Sequence, residues 1–141
     1  MKEKEVLVVM KTQELSECKK ELTALCNAVK TFASEGEYQK CKALIFDAMG
    51  KYPNAPEPHN LLGVLLEKQG DHPAAMKHFR AAWALDPTYL PAKQNLDSFG
   101  TFFSHGSYAF DENDCPEEMH DQYRINYDER GIGHIDRRNC K

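Results

Sequence analysis

Residues 56–89 read PEPHNLLGVLLEKQGDHPAAMKHFRAAWALDPTY. Leu61, Leu62, Leu65 and Leu66 stand at i, i+1, i+4 and i+5, which gathers them on one face of a helix over Pro58–Gln69. Gly70 ends that helix, because glycine accepts the left-handed conformation of a C-terminal cap. Asp71 can cap the next helix by accepting from its free N–H groups, and Pro73 suits a first turn. Ala75, Met76, Phe79, Ala82 and Trp83 then recur at helical spacing to about Leu85, where Asp86-Pro87 stops the run. The stretch is a helix-turn-helix hairpin. Small residues at Gly63, Ala75 and Ala82 let its two helices cross closely, with Phe79 filling the space beside them.

Sliding the chain along itself by 34 residues superposes Gly36 on Gly70, Glu37 on Asp71, Cys41 on Ala75, Ile45 on Phe79, Ala48 on Ala82 and Pro53 on Pro87. On these residues the chain resembles the tetratricopeptide repeat family. Its pattern reads here His59, Leu62, Gly63, Leu66, Ala75, Phe79, Ala82, Pro87, with the Gln69-Gly70-Asp71 turn; His59 and Leu66 replace aromatics. The preceding copy, Leu22–Ala55, diverges in its first helix, where Leu25, Ala28, Val29 and Phe32 take the pattern sites and Val29 replaces the close-packing glycine.

The stripe of that helix continues upstream through Leu22, Cys18 and Leu15, so the helix is expected to begin near Thr12. Downstream, Pro91–Phe103 continues the register as a third first helix, with Leu96 in place and Asp97 and Ser104 at the glycine positions. A lone helix of this kind covers the apolar end of a repeat stack. The resemblance thus implies an all-α fold: a right-handed superhelical stack of helix-turn-helix hairpins with terminal capping helices and a C-terminal tail. The organisation is a 1–11 extension, a 12–103 helical domain and a 104–141 tail. The expected core is Leu62, Leu65, Leu66, Ala75, Phe79, Ala82 and Leu96.

The tail is acidic first, at Asp111, Glu112, Asp114, Glu117, Glu118 and Asp121, and then basic, at Arg124, Arg130, Arg137, Arg138 and Lys141. Tyr123, Ile125 and Tyr127 alternate with polar residues, and a turn-like Asp128–Gly131 leads to Ile132 and Ile135. That pattern fits a β-hairpin or a disordered segment. Its aromatics, Tyr108, Phe110, Tyr123 and Tyr127, equip it to anchor on the helical stack and to compete there with an incoming peptide.

Composition narrows the function. Hydrophobic residues make up 41% of the 141 and charged residues 28%, ordinary for a foldable globular chain. Eighteen Lys and Arg against 22 Asp and Glu leave a net charge of −4, so no nucleic acid is expected as partner. The longest aliphatic run, Val6–Met10, is too short to cross a bilayer, so a cytoplasmic location without membrane contact is expected. The five cysteines, Cys18, Cys26, Cys41, Cys115 and Cys140, form no CxxC pair, which argues against a secreted disulfide framework.

The resemblance places peptide binding on the concave surface lined by first helices. In this register the surface comprises Thr23, Cys26, Lys30, Ala33 and Ser34, then Glu57, Asn60, Val64, Glu67 and Lys68, then Pro91, Gln94, Ser98, Thr101 and Phe102. One subset of the family clamps a C-terminal carboxylate with Lys, Asn and Arg; here Cys26, Lys30, Leu61, Pro91 and Asn95 occupy those sites, and the cationic clamp is missing. The expected partner is therefore a peptide or helix of another protein. Cys115, His120, His134 and Cys140 form the one set that would support an alternative metal- or redox-regulated domain, although their spacing matches no zinc pattern. No nucleophile stands beside a base and no glycine-rich phosphate loop occurs, so neither an enzyme nor a cofactor is expected. Two repeats and one helix leave apolar surface, with Phe99, Phe102, Phe103 and Val6–Met10 as candidates, and a homodimer through either end is expected.

Overall fold

The structure is a computed structural model that describes residues 2–101, 108–116 and 123–137. Among the described residues, five helices form the body: α1 (Lys2–Ser34), α2 (Tyr38–Lys51), α3 (Pro56–Lys68), α4 (His72–Leu85) and α5 (Leu90–Phe99). Each packs on the next, and the odd-numbered helices also pack on one another, α1 on α3 and α3 on α5. A 3₁₀ turn at Glu112–Asp114 follows, and then an antiparallel hairpin of β1 (Tyr123–Tyr127) and β2 (Gly133–Arg137), with Ile125 opposite Ile135. The body is all-α as expected, and the hairpin is one of the two readings open for the tail.

The 34-residue period is physical as well as textual. Gly36 and Gly70 take φ of 79° and 86°, and behind them Glu37 N–H donates to Phe32 O (2.9 Å) and Asp71 N–H to Leu66 O (2.9 Å). That pair of bonds satisfies carbonyls the helix would otherwise leave open. Likewise Tyr52 N–H donates to Ala48 O and Asp86 N–H to Ala82 O, while Ala55 and Tyr89 close the next turns on Tyr52 and Asp86. Both hairpins thus turn and end by the same backbone bonds. As expected, the Asp71 carboxylate accepts from Ala74 N–H at the start of α4.

The core runs through both hairpins as one cluster that includes Val29, Cys41, Ile45, Leu61, Leu65, Ala75 and Phe79. Of the expected core, Leu62, Leu65, Ala75, Phe79 and Ala82 are buried, while Leu66 and Leu96 are partly buried against the cluster. Gly63 meets the Phe79 ring so closely that a Cβ there would lie 2.5 Å from Cε1.

Two expectations change. α1 begins at Lys2, ten residues before Thr12, because the Lys and Glu residues on either side of Val6–Met10 are good helix formers that carry the helix through the valines, and Glu3 and Glu5 favour the positive end of the helix dipole. At 1.5 Å per residue α1 is about 50 Å long, against about 21 Å for α2, so its N-terminal half overhangs the body. Residues 3–17 are exposed throughout, including Val6–Met10 and Leu15. The last helix stops at Phe99, and Phe99 is not spare apolar surface: it is 5% exposed and stacks on Phe79 at 6.2 Å. Phe102, Phe103 and Ser104 lie outside the described residues. No described helix is long and apolar enough to cross a membrane.

Candidate functional site

α1, α3 and α5 present one continuous face, and residues 108–115 of the same chain lie across it. The anchor is Ala109, which is fully buried. Its carbonyl accepts from Asn60 Nδ2 and from Asn95 Nδ2, each at 2.9 Å, and its N–H donates to Asn95 Oδ1 at 2.9 Å. The Asn95 amide therefore takes the place of a neighbouring β-strand, satisfying donor and acceptor of one residue. Asn95 Nδ2 also donates to Asn60 Oδ1 at 2.8 Å, which locks the two amides against each other. Both asparagines are fully buried, so leaving their polar atoms unpaired would cost about 1–3 kcal/mol apiece.

The side chains on either side of Ala109 are aromatic. Tyr108 stacks on Phe99 with ring centroids 5.0 Å apart, and Lys68 Nζ sits 4.5 Å from the Tyr108 centroid. Phe110 is 8% exposed, belongs to the central core cluster, and has Lys30 and Lys68 each 5.9 Å from its ring centre. Further on, the Asp114 carboxylate accepts from Phe110 N–H and pairs with Lys30 at 2.5 Å, the contact that holds the Lys30 ammonium above its usual range. Ion pairs this exposed contribute at most about 1 kcal/mol, so the aromatic and amide contacts hold the segment and the charges orient it.

An open cavity of about 870 Å³ lies beside this segment, lined among others by Leu15, Lys19, Cys26, Glu57, Tyr89 and Asp111. Burial, and then the nearby Glu57 charge, push the Cys26 thiol up to about 12, so it is a packed thiol and no nucleophile. Burial also raises the Glu57 carboxyl, and Glu57 Oε2 has no hydrogen-bond partner among the described residues.

The expected surface residues divide accordingly. Lys30, Asn60 and Lys68 touch the segment directly; Cys26 and Glu57 line the cavity next to it. Val64 and Ser98 are buried beneath the face, Glu67 turns aside to His72 at 2.8 Å, and Gln94 donates to Ser98 Oγ at 3.3 Å. Phe102 lies outside the described residues. Asn95, central to the geometry, stands 34 residues after Leu61 and enters the sequence reading only as one occupant of the missing carboxylate clamp, not as a peptide-binding residue. Of the alternative metal set, Cys115 is buried and its thiol raised to about 11 by burial; His120 and Cys140 lie outside the described residues, and His134 is placed only by its backbone on β2.

Compared with models of protein families and with curated proteins, the sequence matches none.

Proposed function

We propose that this chain is a non-catalytic tetratricopeptide-type adaptor, a right-handed superhelical stack whose α1, α3 and α5 face receives an extended peptide of another protein in the cytoplasm. One observation carries the reading: Asn95 and Asn60 bind the main chain of a peptide segment on that face. Recognition through N–H and C=O suits a surface that must accept segments from elsewhere, since every peptide offers those groups, while aromatic seats beside them supply selectivity. The 34-residue recurrence of turn bonds supports the repeat assignment independently of the binding face.

A photo-crosslinking residue in place of Gln94, at the edge of the face, tests this in cells. Cross-linked peptides from another protein are expected, and their yield should fall when Asn95→Ala is added. Cross-links confined to the chain itself would overturn the adaptor reading. Self-association belongs to the same proposal, through the uncovered Val6–Met10 stretch of α1. Sedimentation should show a dimer that Val8→Glu dissociates, and a monomer at high concentration would remove that part.

A further inference from the structure

Resting on the adaptor reading, we infer that residues 108–115 are an internal stand-in for the partner, and that the partner segment has the same chemistry: aromatic, small, aromatic, then acidic residues. The segment sits on the face as a ligand would. Its central residue is held by two side-chain amides instead of by regular secondary structure, as Ala109 is by Asn60 and Asn95. Its aromatics enter prepared seats, Tyr108 on Phe99 and Phe110 in the core cluster. Its acidic end meets a cation of the face, with Asp114 paired to Lys30 and Asp111 close enough to act on the same ammonium, while Lys68 lies over the two aromatic rings.

Each seat carries a selection rule. Ala109 is fully buried, so a branched or aromatic side chain has no room at the middle position. The flanking rings gain from apolar burial and from the lysine cations at their faces. Acid further along gains from Lys30, whereas a basic segment would meet like charge. The tether matters too. α5 ends at Phe99 and the segment begins at Tyr108, so a short linker holds the occupant at an effective concentration on the order of millimolar. Against that, a free peptide of ~10 μM intrinsic affinity appears roughly 100-fold weaker, and a partner gains access in proportion as the internal segment is loosened.

The test uses the full chain and a synthetic peptide of residues 108–116, YAFDENDCP, with a fluorophore at its C-terminus, read by fluorescence anisotropy. Chains carrying Phe110→Ala should bind the peptide at least about tenfold more tightly than the unaltered chain, and chains carrying Asp114→Ala about threefold to fivefold more tightly, because the internal competitor is weakened. Peptides altered at the positions of Ala109, to Leu, or Phe110, to Ala, should not bind, and adding Asn95→Ala to the Phe110→Ala chain should abolish binding. Equal affinity across chain variants that remain folded by circular dichroism would overturn the inference, as would binding that ignores Asn95. Should Phe110→Ala fail to fold, Asp114→Ala decides, since Asp114 is outside the core cluster. If cross-links from position 94 still reach another protein while the peptide never binds, the stand-in idea falls alone; if both fail, the adaptor reading falls with it.

Discussion

The two hairpins solve one packing problem with different distributions of volume. In α3–α4 the first helix contributes Gly63 and the second Phe79, and the ring lies against the glycine backbone. Thirty-four residues earlier α1–α2 puts Val29 and Ile45 at the same two places, both fully buried. The small residue and the large ring have become two middle-sized aliphatics, and Cys41, standing where α4 has Ala75, aims its thiol at Val29 O at 3.6 Å. What the repeat conserves is the total volume between crossing helices, not the identity of either partner.

The comparison breaks most visibly at Gly63. Gly63→Val adds atoms within 2.5–3.1 Å of a ring that is fully buried and has nowhere to go. A loss of about 3 kcal/mol is expected in denaturant unfolding. Phe79→Ile in the same chain should restore a large part of it, since the pair then copies α1–α2. If the double variant is no more stable than Gly63→Val alone, the two hairpins are not volume-equivalent. Next in size comes Val29→Ala, which empties part of the first hairpin and should cost about 2 kcal/mol, with no relief from Gly63, which belongs to the other crossing.

Much of this was open to reading in the residues because it is local. Gly70 and Asp71 announce a cap, and Gly63 with Phe79 announces a close crossing, at spacings that helix geometry dictates. The filled face was only half visible. Tyr108 and Phe110 signalled that the tail would anchor, yet its seat depends on Asn95 and Asn60 meeting Ala109 from two helices, a match between residues 35 and 14 positions apart that no periodicity encodes. The start of α1 is hidden from the sequence for a different reason. The hydrophobic stripe reports burial, and residues 3–17 are helical without being buried.

The helix starts sharpen the comparison at smaller scale. Asp71 accepts from Ala74 N–H, whereas Glu37 at the matching position makes no side-chain cap bond. Asp71→Ala should therefore cost about 1 kcal/mol and Glu37→Ala close to nothing. Glu37→Asp should add some tenths of a kcal/mol, because the shorter acid fits the cap that Asp71 fills. Parallel thermal melts of the three variants check this.

The smallest expected effect separates the hairpins by pH. His59 and His78 lie across the α3–α4 crossing with rings stacked at 5.5 Å and their Nδ1 atoms 3.3 Å apart. The matching residues of the first hairpin, Leu25 and Leu44, cannot titrate. Burial lowers both histidines from their usual range, and for His78 the charge on His59 lowers it further. One neutral imidazole can donate Nδ1–H to the other, but two imidazolium ions would face each other donor to donor. Because the folded values lie below the unfolded value of about 6.5, the unfolded chain binds more protons as pH falls through that value. Stability from this pair is thus complete above about pH 6.5 and declines below it. Glu57 acts in the opposite sense, since its raised carboxyl takes up a proton more readily when folded, so the melting temperature of one protein alone mixes the two. The informative quantity is the difference between the unaltered chain and His59→Leu/His78→Leu, which makes the second crossing resemble the first. That difference should grow between about pH 7 and pH 5 in favour of the double variant. A difference independent of pH would mean that the paired imidazoles impose no protonation cost, and that the two crossings differ in shape alone.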